Sequence, residues 1–175
     1  MKGLTLTQPY ATLVAIGAKQ IETRSWATSY RGPIAIHAGA GLGPVGGVAG
    51  LWDLCHADPF RGVLDHFGWL ADPAYWLPRG AIVAVAELVD CLPVDRLTLG
   101  SGFVELIRRS DMSALRWTLT DQERAFGDYS ADRHAWLLAE VRWLQKPIPC
   151  RGALGLWAVP ADVEAQLQGA THVHS

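Results

Sequence analysis

The feature that most constrains this chain is the run Ala-Ile-Val-Ala-Val-Ala-Glu-Leu-Val-Asp after Gly80. Its β-branched, apolar character and the flanking glycine make it the clearest strand of the sequence. Shorter segments read the same way. Gly3 to Thr7 alternates leucine with threonine, and extended pieces follow at about Gln20–Trp26, Ile34–His37 and Ala153–Val159. From Ala135 to Trp143, the residues Ala135, Leu137, Ala139, Val141 and Trp143 form one apolar face. Trp136, Leu138, Glu140 and Arg142 form the other, and Lys146-Pro147-Ile148-Pro149 is expected to stop the strand.

Helical signals are fewer. Pro9 suits the first turn of a helix through Leu13, Val14 and Ile16, and Gly17 suits its end. Residues 51–70 predict one or two helices broken near Asp58-Pro59, and Ala161–Leu167 predicts a closing helix. The glycine-rich stretch from Gly39 to Gly50 reads as a loop, because no lysine follows to complete a phosphate cradle. Residues 93–130 read as an insertion of mixed character, partly helical around Phe103 to Arg109. About six strands with few helices between consecutive ones predict an antiparallel or mixed barrel with peripheral helices, not a parallel α/β sheet. With 175 residues and no dividing linker, a single domain spanning 1–175 is expected.

Charge and cysteine content narrow the function classes. A formal net charge of −2 argues against a protein that holds nucleic acid mainly by neutralising phosphates, so any such contact must be local. The weakly basic pieces at Arg108-Arg109 and Arg116 read as a solvated helix face. Cys55, Cys91 and Cys150 are scattered and odd in number, so neither a disulfide framework nor a metal site is expected. No cofactor is expected either. Without a signal-peptide core or an apolar run of membrane length, the expectation is a cytoplasmic protein with reduced thiols.

The densest polar string is Gly17-Ala18-Lys19-Gln20-Ile21-Glu22-Thr23-Arg24, followed by Ser25 and Trp26. On a regular strand Glu22, Arg24 and Trp26 share a face and Lys19 lies on the other, unless the helix exit or a bulge re-aims it. Spacing alone favours a solvated charged edge that blunts sheet-to-sheet pairing. Glu87 continues the row Ala81, Val83, Val85, and a carboxylate there demands a basic partner. A structural ion pair and a barrel-mouth acid facing Lys19 or Arg24 both meet that demand. His37 follows an apolar strand and, as a lone histidine, reads as structural, while His134 and Asp132 have no serine or cysteine in a recognisable nucleophile motif.

Several separated pieces, taken in order, resemble the ASCH family. They are Gln8-Pro9-Tyr10, the GxKxxExR string from Gly17 to Arg24, Trp26, Tyr30-Arg31-Gly32, Gly80-Ala81-Ile82-Val83 and Phe126-Gly127-Asp128-Tyr129. Pro147-Ile148-Pro149, Gly152 and Gly155-Leu156-Trp157 extend the likeness, and stretches near 39–79 and 93–125 match least. The resemblance implies a PUA-like β-barrel with a polar cleft lined by Lys19, Glu22, Arg24, Trp26, Arg31 and Glu87. It also implies two classes of activity, binding of RNA or a nucleobase, or hydrolysis, either of a modified nucleoside such as an N4-acylated cytidine or of RNA by a ribonuclease that uses the same Lys/Glu cleft. In an enzyme of that kind Lys19, Glu22 and Glu87 would be catalytic. The family's amidohydrolase branch carries a threonine where Glu22 stands here, with Thr23 one residue away, so a threonine nucleophile does not transfer. Lys19 beside carboxylates would serve as a fixed ammonium for a carbonyl or phosphate oxygen, while a crowded carboxylate handles the proton.

Overall fold

The computed structural model describes residues 1–98, 103–107 and 114–171. In chain order its elements begin with β1 (Lys2–Leu6), α1 (Tyr10–Ala15), β2 (Ile21–Arg24) and β3 (Gly32–Ala38). A helical region follows, with α2 (Gly47–His56), α3 (Phe60–Asp65) and α4 (Pro73–Trp76). Then come β4 (Ala81–Pro93), α5 (Asp95–Thr98), β5 (Phe103–Ile107), β6 (Ala114–Thr118) and α6 (Asp121–Ala125). The chain ends with β7 (His134–Pro149), β8 (Leu156–Ala158) and α7 (Ala161–Thr171). One six-stranded ladder runs β2-β7-β4-β3-β1-β8, with β1 and β3 parallel and β1 and β8 antiparallel, while β5 and β6 pair separately. This is the mixed sheet with peripheral helices that the strand spacing predicts.

Two compact units divide the chain. One holds residues 1–18, 33–86 and 141–175, and the other holds 19–32 and 87–140. In the first, Ala35, Ile82, Val85, Leu144 and Ile148 form a core with Val163 and Leu167 of α7. The i, i+4 spacing of that last pair is what makes α7 one-sided. In the second, Ile21, Leu92, Val94, Leu97, Ala135 and Leu137 pack with Trp117, whose indole N–H donates to the Leu138 carbonyl at 2.8 Å.

Four expectations need correction. Phe103–Ile107 is a strand paired with Ala114–Thr118, not part of a helix, and the Arg116 guanidinium lies over the Phe103 ring at 3.9 Å. A short apolar run carries no period that separates strand from helix. Arg108 and Arg109 lie outside the described residues. Second, the apolar row from Ala135 does not continue to Trp143. Glu140 takes φ 49°, a left-handed conformation, and beyond it Leu144 is buried while Trp143 is 47% exposed. One left-handed residue in a strand re-phases the alternation, as a bulge does. Third, β7 runs on through Lys146 to Pro149 instead of stopping. Fourth, the glycine-rich stretch is not all loop, because α2 begins at Gly47 and buries Leu51 and Cys55.

Candidate functional site

The polar string lies in the second unit. Among the described residues strand β2 ends the ladder and pairs with β7, Ile21 opposite Leu137, Glu22 opposite Trp136 and Arg24 opposite His134. Ile21 and Leu137 face the core, so Glu22, Arg24, Trp136 and His134 share the opposite face. Strand alternation puts Glu22 and Arg24 together, and the Arg24 Nε stands 3.0 Å from Glu22 Oε1.

Lys19 precedes β2 and so escapes its alternation. Its side chain is 1% exposed, with Nζ 3.6 Å from Glu22 Oε2, 3.7 Å from Glu123 Oε1, and donating to the Ile21 carbonyl. The sequence reading did not single out Glu123. Its carboxylate accepts the backbone N–H groups of Gln20 at 3.0 Å and Ile21 at 3.2 Å. The Tyr129 hydroxyl donates to the same group at 3.4 Å. The carbonyl of Ile21 therefore meets Lys19 and its N–H meets Glu123, which satisfies the strand's edge with side chains.

Local sequence explains how Glu123 arrives there. Thr120 caps α6, its hydroxyl accepting the Glu123 N–H at 3.1 Å. Thr120-Asp121-Gln122-Glu123 is thus a Thr-x-x-Glu helix start. That signal was legible, but here the glutamate side chain turns to β2. Gly127 then allows a close approach. A methyl group there would stand 2.9 Å from the Tyr129 ring, 3.2 Å from Thr23 Oγ1 and 3.4 Å from Lys19 Nζ. Thr23 accepts the Asp128 N–H at 3.1 Å.

The electrostatics follow from burial. Desolvation raises the Glu123 carboxyl above its ordinary range, outweighing the opposing pull of Lys19 and of its hydrogen-bond donors. Burial, then the neighbouring Glu123 and Glu22, push the Tyr129 phenol well above its ordinary range, so it stays a neutral donor. The result is a buried ammonium between two carboxylates, with Arg24 as the outer cation.

The remaining predicted residues occupy distinct places. Trp26 is half-buried past the end of β2, edge-on to Trp136 with ring centres 4.6 Å apart, and its carbonyl accepts the Trp136 indole N–H at 3.3 Å. Arg31 is engaged on the loop before β3. It donates to Asp90 Oδ1 from Nε at 3.1 Å and to the carbonyls of Thr28 and Tyr30 from Nη1. Glu87 is half-buried on β4 in the same unit. Among the described residues no group of three or more His, Cys, Asp and Glu is placed to hold a metal ion. No helix among them is long and apolar enough to cross a membrane.

Comparison with known proteins follows the same lines. No curated protein matches the chain. Among solved structures, ASCH from Zymomonas mobilis is 14% identical with a TM-score of 0.49, over 96% of this chain and 93% of that one. A tyrosine-to-phenylalanine mutant of the Zymomonas mobilis protein ZmASCH is 13% identical with a TM-score of 0.48, over 96% of both chains. The ASCH domain model matches residues 4–148, and the chain belongs to the ASCH domain family.

Proposed function

We propose that this chain binds single-stranded RNA or a free or modified nucleobase, with Glu22, Arg24 and Trp26 as the contact face. The observation that carries this reading is the Lys19 cluster. A lysine held by two carboxylates and a carbonyl ties down the start of β2. Arg24, paired with Glu22, and Trp26, packed edge-on to Trp136, are both half-buried, and they would offer a cation to a ligand's oxygen atoms and a ring face to its base. Arg31 shapes the neighbouring loop through Asp90, and Glu87 supplies a further acid in the same unit. With a net charge of −2, binding depends on a base and its immediate phosphates, not on a long backbone track. Three free cysteines and the lack of a membrane-length helix among the described residues accord with a cytoplasmic setting.

One observation favours a second reading, hydrolysis of an N4-acylated cytidine. Glu123, its carboxyl raised by burial beside Lys19, is a group able to hold and return a proton. In that version Lys19 steadies the developing oxyanion, and Glu22 or Glu87 activates water. A single experiment separates the readings. Modified nucleosides are screened for hydrolysis while single-stranded RNA binding is measured on the same sample. Binding that weakens in Arg24→Ala, without turnover, supports the first reading. Turnover of an acylated cytidine that collapses in Glu87→Gln or Glu22→Gln replaces it with the second. Neither binding nor turnover refutes both.

A further inference from the structure

The first unit carries a cavity of about 340 Å³ at the C-terminal ends of the parallel strands β1 and β3. Thr5 and His37, side by side in the ladder, form one wall, and Gly39, Ala40 and Gly80 form the next. A strap from Cys150 to Leu154 lies across it, between β7 and β8. The volume falls at the lower end of the ~300–1,000 Å³ range of small-molecule sites. Gly39, Ala40, Gly80, Gly152 and Ala153 in the lining carry little or no side chain, which leaves room for a ring.

His37 gives the cavity its chemistry. The residue is 2% exposed, and its Nε2 lies 2.9 Å from the Cys150 carbonyl. Desolvation lowers the ring's pKa, outweighing that hydrogen bond, so the imidazole is neutral. A neutral ring that donates from Nε2 has a lone pair on Nδ1. That buried Nδ1 has no hydrogen-bond partner among the described residues. What covers it is Gly152, where a methyl group would stand 2.5 Å from both Cε1 and Nδ1 and 2.7 Å from Thr5 Oγ1. A C–H is a weak substitute for the N–H that a buried ring nitrogen takes.

The strap is largely exposed. Among the described residues its hydrogen bonds include the His37 bond to Cys150, a Cys150 N–H to the Gly80 carbonyl at 3.1 Å and a Thr5 hydroxyl to the Ala153 carbonyl at 3.0 Å. Arg151, Ala153 and Gly155 face solvent, and Leu154 is 98% exposed. Gly155 takes φ +67°, which lets the strap turn into β8.

We propose that this cavity binds a nucleotide whose planar base donates a ring N–H to His37 Nδ1, replacing the Gly152 contact as the strap shifts outward. Arg151, exposed on the strap, meets the phosphate at the mouth. This site is independent of the Lys19 reading and stands or falls without it. The test uses the full chain with 15N-labelled histidine, uridine 5′-monophosphate as the probe and its N3-methyl analogue as the control lacking the donor. The expected result is a saturable shift of the His37 Nδ1 resonance by uridine 5′-monophosphate at or below ~1 mM, and none with the analogue. Arg151→Ala, a solvent-exposed change, should weaken the nucleotide ~fivefold or more, as loss of a charged hydrogen bond does, and leave uridine unaffected. An unmoved His37 resonance at that concentration, or an equal response to the N3-methyl analogue, would overturn the proposal without touching the Lys19 reading.

Discussion

Replacing Glu123 by alanine tests how the candidate site is held together. The change removes the acceptor for the Gln20 and Ile21 N–H groups and one of the two carboxylates around a 1%-exposed Lys19. Lys19 keeps Glu22 at 3.6 Å, so the main cost is the two backbone N–H groups left without an acceptor, about 1–3 kcal/mol each and roughly 4 kcal/mol together. In urea that loss should lower the unfolding midpoint by roughly 2 M, and in thermal melts by roughly 10 °C. Glu123→Gln separates charge from shape. Glutamine keeps one acceptor but turns an amide NH2 toward the second backbone N–H. It should cost about 1–3 kcal/mol, the penalty for a buried donor left unpaired.

The pH dependence of the comparison has a definite sign. Burial raises the Glu123 carboxyl above its ordinary value of 4.5, against the lowering by Lys19 and by the Gln20, Ile21 and Tyr129 donors. The folded state therefore holds this proton more tightly than the unfolded chain. The resulting stabilisation is complete below the ordinary value and is lost as pH rises through the raised one. Glutamine has no such titration. The advantage of wild type over Glu123→Gln should be largest in acid and shrink as the pH climbs out of the ordinary carboxylate range. A Glu123→Ala protein within about 0.5 kcal/mol of wild type, as exposed substitutions are, would refute the reasoning. So would a gap to Glu123→Gln that widens with pH.

Gly127→Ala should destabilise by about 1–3 kcal/mol, the usual effect of overpacking, because the new methyl meets the Tyr129 ring at 2.9 Å. Urea melts check it, and an unchanged midpoint would mean that the loop yields. Cys55 is fully buried, and burial pushes its thiol up to about 11. It should resist iodoacetamide at pH 8 in the native protein and react once the chain is unfolded, as peptide mass mapping will show.

Local patterns were legible where they depend on neighbours in the chain. The apolar run after Gly80 is β4, and alternation correctly joined Glu22 to Arg24. The position of Lys19 was not legible in the same way. Alternation rules only within β2, and Lys19 is turned toward Glu22 by Glu123, which stands some hundred residues further on. The Thr120–Glu123 helix start could be read from its spacing, but whether a capping glutamate bends back or reaches out is decided by what packs beside it. At Glu140 a non-glycine residue takes a positive φ, and no turn signal marks the place where the faces of β7 exchange. In β5 a short apolar run suits helix and strand alike, and only its partner β6 decides. His37 looked like a structural histidine. The cavity beside it depends on a strap that meets β1 and β3 across more than a hundred residues.

The central claim is that Arg24 and Trp26 form the contact face for a base. The most direct test follows the Trp26 indole N–H by NMR, assigned by its loss in Trp26→Phe, during titration with a short single-stranded RNA and, separately, with free nucleosides. The account predicts that the Trp26 signal moves saturably with one of these ligands. It also predicts that Trp26→Ala weakens the same ligand by about 1–3 kcal/mol, the worth of one stacked base, in a protein that still melts cooperatively. Binding that leaves the Trp26 indole unmoved and survives both Trp26→Ala and Arg24→Ala would contradict it.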